Sequence, residues 1–292
     1  VRLLAWARTD TGRKRDHNED SHLVDEELGL FAVADGMGGH QGGEHASRLA
    51  LQVVRQRLVT ARADLLDAAR RIESDRHREL FRTTEPVNAL EDTGDQWQPA
   101  LDPPTAPMIE GAGPPALTVM KAAARDAGRA IFDAALQDTA LRGMGTTLTA
   151  MLYDSGRMYV VHAGDSRLYL FRDGTLRQVT EDHSWIAEQI RAGNLTEEEA
   201  KESKYRHVIT RSVGFEREVD VDGLGLAVEP GDCFLLCSDG MSNHVENAEL
   251  ERILSTTWYR RAPQYLIDLA NSRGGDDNVT VVVVCVANDA ST

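Results

Sequence analysis

Four apolar, strand-like runs in this chain each meet an aspartate that stands beside glycine, serine or asparagine. They are AVADG at Asp35-Gly36, HAGDS at Asp165-Ser166, LLCSDG at Asp239-Gly240 and GGDDN at Asp276-Asp277-Asn278. A fifth acidic pair, Glu19-Asp20, precedes the run HLV. Any one of these is an ordinary turn, since Asp and Gly are residues that turns prefer. Taken together they ask for a fold in which hydrophobic strands deliver several carboxylates to their ends.

The pattern between these turns supports such a fold. Leu3 to Ala7, Ser21 to Val24 and Leu30 to Ala34 read as strands. From Glu44 the period changes: Ala46, Leu49, Ala50, Val53, Val54, Leu58 and Ala61, continuing to Ile72, recur at three and four, as a long amphipathic helix requires. Helical spacing resumes from Leu117 to about Gln137. The second half is strand-rich, with GTTLTAMLYD, RMYVVHAGDSRLYLFRDGTLRQVT, GDCFLLCSDG and NVTVVVVCV broken by Gly, Asp and Ser turns. Asp173-Gly174 predicts a hairpin turn. Helices are expected over Trp185 to Ala192, over Thr196 to Lys204 with Thr196 as N-cap and Glu199 three residues on, and over Pro263 to Asn271. Sheets covered by helices follow from this mixture.

Between the two long helices, Thr83 to Ala116 holds seven of the nine prolines and six acids, with no lysine or arginine. Such a stretch cannot bury enough apolar surface to offset its ordering entropy, so an insertion without its own core is expected there.

Charge narrows the function. Lysine and arginine total 32 against 47 acids, a net charge of −15. That field repels nucleic acid and anionic membrane and draws in cations. No apolar run reaches the ~18 residues of a membrane helix, and the first residues do not form a signal peptide, so a cytoplasmic protein is expected. Cys233, Cys237 and Cys285 form no CxxC; Cys233 and Cys237 fall on one face of a strand, as small buried hydrophobes do. The glycines of GMGGHQGG miss the dinucleotide-binding spacing. Carboxylates without a histidine cluster suit Mg²⁺ or Mn²⁺ rather than zinc or copper. Two such ions sharing a carboxylate can lower the pKa of water enough for attack on a phosphate ester. Arg13, Lys14 and Arg15 stand just before Glu19-Asp20, and an arginine fork there can clamp phosphate oxygens.

In order, the blocks RKRDHNED, FAVADGMGGHQGGEHAS, GMGTTLTA, VVHAGDSRLYLFRDG, DHS, HVITRSVG, GDCFLLCSDGMSN and GGDDNVTVVVV resemble the metal-dependent serine/threonine protein phosphatases, the PPM or type-2C family, in its bacterial branch. The resemblance spans about residues 8 to 286. It implies an α+β fold, a central antiparallel β-sandwich with helices on both outer faces (α-β-β-α layers), and a binuclear centre at one end. Residues 1–292 would then be one phosphatase domain, with an insertion at about 83–116 and a flap at about 184–207 that bears on substrate choice.

By the same resemblance Asp35 bridges two Mn²⁺ or Mg²⁺ ions, Gly36 offers its carbonyl, and Asp239 and Asp277 are direct ligands. Glu19 and Asp20 hold metal-bound water. Asp165, with Asp239, forms a weaker third site, and Arg15 binds the phosphoryl group. Met37 stands where many eukaryotic members carry a histidine proposed as general acid; the nearest histidine, His40, is weighed as that acid but reads better as a turn or helix-entry residue, with metal-bound water as the other proton source. His162 reads as a sheet residue, His183 and His207 border the flap, and His17 shapes its loop. The implied function is hydrolysis of phosphoserine and phosphothreonine in proteins by water or hydroxide bridging two cations, in a monomer acting on targets of a Ser/Thr kinase. The alternatives are a metal-binding pseudophosphatase that docks phosphoproteins and a small-metabolite phosphatase.

Overall fold

The computed structural model describes residues 1–39, 41–82, 115–205 and 207–287. The expectations for His40 and for the insertion up to residue 114 lie outside the described residues, while Pro115 and Ala116 open a helix. Strands β1 (Arg2–Asp10), β2 (Ser21–Asp25), β3 (Leu30–Ala34) and β4 (Gly36–Met37) precede the long helices α1 (Gln41–Arg82) and α2 (Pro115–Gln137). Next come β5 (Gly145–Thr146), β6 (Leu148–Asp154), β7 (Arg157–Ala163), β8 (Arg167–Arg172) and β9 (Thr175–Gln178). Helices α3 (Trp185–Arg191) and α4 (Glu197–Glu202) lead to β10 (Asp222–Ala227) and β11 (Cys233–Cys237). The chain continues through α5 (Asp239–Ser242), α6 (Asn247–Thr256) and α7 (Ala262–Ser272) into β12 (Val279–Ala287).

Two five-stranded antiparallel sheets result, ordered β1-β12-β11-β8-β9 and β10-β7-β6-β3-β2. The two-residue period of each strand sorts its side chains into layers. Phe31 and Val33 on β3 meet Leu168, Leu170, Phe234, Leu236, Val282 and Val284 between the sheets. On the other face of β3, Leu30, Ala32 and Ala34 pack under Ala46, Ala50 and Val54 of α1 and Met120, Ala124 and Ile131 of α2. Tyr169, Leu235 and Val281 face Leu250 of α6 and Leu266 of α7. The layers are therefore α-β-β-α, as expected. Cys233 and Cys237 both face the α6 and α7 layer, and Cys285 joins them opposite Cys233.

Local expectations hold where backbone chemistry controls them. Asp173 and Gly174 both take positive φ, 51° and 79°, joining β8 to β9 by the tight turn that strand twist favours. Thr196 and Glu199 form a reciprocal capping box at α4. Among the elements not anticipated, besides the short β4 and α5 at the acidic turns, two matter to the layers. Strand β10 is a glycine-bearing, half-exposed edge that lacks the β-branched signature, and α6 is a short helix carrying Leu250, Ile253 and Leu254. The run GTTLTAMLYD splits at Thr147, whose N–H donates to Asp35 O at 2.8 Å while its Oγ1 accepts from the Asp35 N–H at 2.9 Å. That residue serves the β3 turn instead of a strand ladder.

Candidate metal centre

The strand-end aspartates Asp35, Asp165, Asp239 and Asp277 come together with Asp20 at one end of the sandwich. Asp35 follows β3, Asp165 follows β7, Asp239 follows β11, and Asp277 precedes β12. Asp35 is influenced electrostatically by Asp20, Asp239, Asp165 and Asp277 together.

Glycine makes this convergence possible. A Cβ on Gly36 would lie 2.1 Å from Gly43 O and 2.6 Å from Glu19 O, and one on Gly43 would lie 2.1 Å from Glu19 Oε2. Only hydrogens let the first turn of α1 close onto the Asp35 turn and the Glu19 carboxylate. Gly240 is as confined: a Cβ there would meet Asn278 O at 2.0 Å.

Asp20 is buried, and its Oδ2 accepts from Ser238 Oγ and Thr280 Oγ1, both at 2.7 Å. Asn278 ties the loop bearing Arg15, Glu19 and Asp20 to the start of β12. Its Nδ2 donates to Thr11 O at 2.9 Å and His17 O at 2.8 Å, while its Oδ1 accepts from the Glu19 N–H at 2.8 Å. His17 thus contributes its carbonyl to the loop. The Glu19 carbonyl accepts from Ser47 Oγ of α1 at 2.7 Å.

Arg15 reaches Asp277, its Nη2 donating to Oδ2 at 2.7 Å, and Lys14 pairs with Asp276. Asp165 sits in a turn where Thr147 Oγ1 and Ser166 Oγ lie 2.8 Å apart. The positioning residues Ser238, Thr280, Asn278 and Thr147 were not assigned roles from sequence. One signal was available: Thr280 is a lone hydroxyl in a fully buried valine strand.

The electrostatics follow from burial. Desolvation first, then neighbouring carboxylates, push Asp20 up to about 7 and Asp165 up to about 8, partly opposed by local hydrogen bonds. The same causes hold Asp35 well above the usual carboxylate range. Asp239 is also raised, chiefly by desolvation and then by Asp277, with the nearby His207 pulling the other way. Carboxylates this dry and this close cannot all ionise unless cations offset them.

Three buried carboxylate oxygens in this group, Asp20 Oδ1, Asp165 Oδ1 and Asp239 Oδ1, have no hydrogen-bond partner. An orphaned anionic oxygen is costly in a folded protein, and three on neighbouring buried aspartates match the oxygen chemistry of hard divalent cations. Among the described residues no three His, Cys, Asp or Glu side chains close around a single point.

A protein phosphatase 2C family model matches residues 10–271. The serine/threonine phosphatase stp of Listeria innocua is 33% identical over 287 residues, covering 97% of this chain and 95% of its own. The crystal structure of the Mycobacterium tuberculosis serine/threonine phosphatase PstP/Ppp superposes with a TM-score of 0.76 at 32% identity, over 99% of this chain and 100% of that one. The catalytic domain of PstP in complex with two manganese ions superposes with a TM-score of 0.73 at 32% identity, over 98% and 99% of the two chains.

Proposed function

The chain belongs to the protein phosphatase 2C family, and on that premise we propose how its acidic end performs the reaction. It is a metal-dependent phosphatase of phosphoserine and phosphothreonine in proteins. In our reading Asp35, the Gly36 carbonyl, Asp239 and Asp277 hold two Mn²⁺ or Mg²⁺ ions, with Asp165 and Asp239 offering a weaker third position. When bound, the ions neutralise the carboxylate cluster, act as Lewis acids toward the phosphoryl oxygens and bring the pKa of water near neutrality. Asp20 has one oxygen committed to Ser238 and Thr280, which leaves Oδ1 to orient attacking water and hold its proton. Glu19, held through Asn278, assists from the same loop. Arg15 stands at the rim, half-exposed, where its fork can leave Asp277 for two phosphoryl oxygens. Residues 1–292 act as one phosphatase domain, with 184–207 as the flap that meets the substrate.

The observation that carries this reading is the set of three orphaned buried carboxylate oxygens in one coupled cluster. Asp239→Asn is its test. Turnover of a phosphothreonine peptide should fall by about 10³-fold or more at saturating Mn²⁺, with the far-UV circular dichroism spectrum unchanged. Full activity in the metal-depleted, reconstituted variant would reject the assignment. Parallel rates on a phosphopeptide and a sugar phosphate separate protein from metabolite hydrolysis. We further place the protein in the cytoplasm, as a monomer opposing a Ser/Thr kinase; its three free thiols suit a reducing compartment.

A further inference from the structure

We propose that His183 is a positioning residue that couples the 184–207 segment to the Asp165 turn, so that the order of one depends on the order of the other. The proposal rests on the phosphatase reading only for what Asp165 holds.

His183 satisfies both main-chain groups of Gly164. Its own N–H donates to Gly164 O at 2.8 Å, and its Nδ1 accepts from the Gly164 N–H at 3.1 Å. Gly164 has φ +118°, and a Cβ there would lie 2.6 Å from Thr147 Cβ, so the turn is confined on its other side as well. Because Nδ1 accepts from Gly164, the ring proton is assigned to Nε2, which faces Asp222 Oδ2 as its acceptor at 3.1 Å with Arg211 Nη1 also 3.1 Å away. Arg211 Nη1 donates to Asp222 Oδ1 at 2.6 Å and closes this outer anchor.

The same residue gathers the two ends of the segment. His183 O accepts from the Thr210 N–H at 2.9 Å, Ser184 bridges to Ile209, and the Trp185 N–H donates to Val208 O at 2.8 Å. Against the inner face of His183 stands the His162 ring, at 4.7 Å between centroids. His162 Nδ1 is 2.9 Å from Thr149 Oγ1, which lies 3.2 Å from Ser166 O. Gly164 and Ser166, the two neighbours of Asp165, are thus gripped by one connected set of side chains. That set also carries the root of the 184–207 segment.

Hydrogen exchange with mass spectrometry on the full chain, metal-free and with saturating Mn²⁺, tests the coupling without relying on turnover. His183→Ala should speed exchange about 10-fold both in a peptide spanning 158–168 and in one spanning 183–212, the factor expected for one lost hydrogen bond. Peptides from 262–287 should not change. His183→Asn, whose side-chain oxygen can still accept from the Gly164 N–H, should restore protection over 158–168 more than over 183–212. In p-nitrophenyl phosphate assays His183→Ala should raise the Mn²⁺ concentration for half-maximal rate several-fold while leaving the rate at saturating Mn²⁺ within about twofold.

Faster exchange over 183–212 alone would overturn the proposal, reducing His183 to an anchor of the segment. If His183→Ala does not fold, Asp222→Ala decides: it should speed exchange in both peptides, and a change in neither overturns the coupling. Absence of any hydrolysis by the unmodified chain would count against the phosphatase reading and leave the exchange result standing.

Discussion

With the side chain of Asn278 removed, three main-chain groups lose their partners at once: the carbonyls of Thr11 and His17 and the N–H of Glu19. Asn278→Ala should therefore cost about 2–4 kcal/mol in urea unfolding and raise the Mn²⁺ requirement, because the loop bearing Arg15, Glu19 and Asp20 loses its tether. Asn278→Asp keeps the acceptor for Glu19 but not the two donations, so it should recover only part of the loss. His162 gives a second expectation at this scale. Buried at 2% exposure, its imidazole is pushed down from 6.5 to about 4, by desolvation first and then by the neighbouring His183. The unfolded chain consequently takes up this proton before the folded one as pH falls. The group's contribution is complete above pH 6.5 and is lost progressively toward pH 4, by roughly 3 kcal/mol. The difference in unfolding free energy between the native chain and His162→Gln should shrink or reverse over that window, and an unchanged difference would refute it.

Asp-Gly pairs look alike in the chain yet terminate elements for different physical reasons. Gly174 in the β8–β9 hairpin has φ +79° with open space where a Cβ would project, so only backbone conformation demands glycine. Gly240, at the start of α5, has an obstructed Cβ position, 2.0 Å from Asn278 O on the approach to β12. Gly174→Ala should cost about 1 kcal/mol, whereas Gly240→Ala should cost about 3 kcal/mol or more and abolish metal binding, because α5 can no longer seat Asp239. Chemical denaturation of both variants checks the ranking. Strand and helix periodicity announced most elements, including the capping box of α4 and both long helices. Strand β10 escaped because Gly223 and Gly225 dilute its pattern and because an edge strand owes its existence to pairing with β7, a contact invisible in the local run.

Across the molecule, the buried carboxylates at one end repel one another, and in the proposed reading cations relieve that repulsion. Mn²⁺ at about 100 times its dissociation constant should stabilise the native state by about 2.7 kcal/mol, visible as a rise of roughly 4–5 °C in Tm. Asp239→Asn should lose most of that rise, yet melt no lower than the native chain in chelator, since one source of repulsion is gone. Differential scanning calorimetry with Mn²⁺ and with EDTA reads both outcomes. The strand-end aspartates, the arginine before the acidic pair and sheets covered by helices were legible in the chain, because hydrophobic period and turn chemistry are local properties, whereas the α-β-β-α layering was implied by the family resemblance. Residue order could not reveal that Asp20 is held by Ser238 and Thr280, or that Asn278 reaches back to Glu19. Nor could it reveal that His183 grips the Asp165 turn. Those contacts join positions up to 260 residues apart, and they exist only once antiparallel pairing and sheet stacking have brought the strand ends to a common edge.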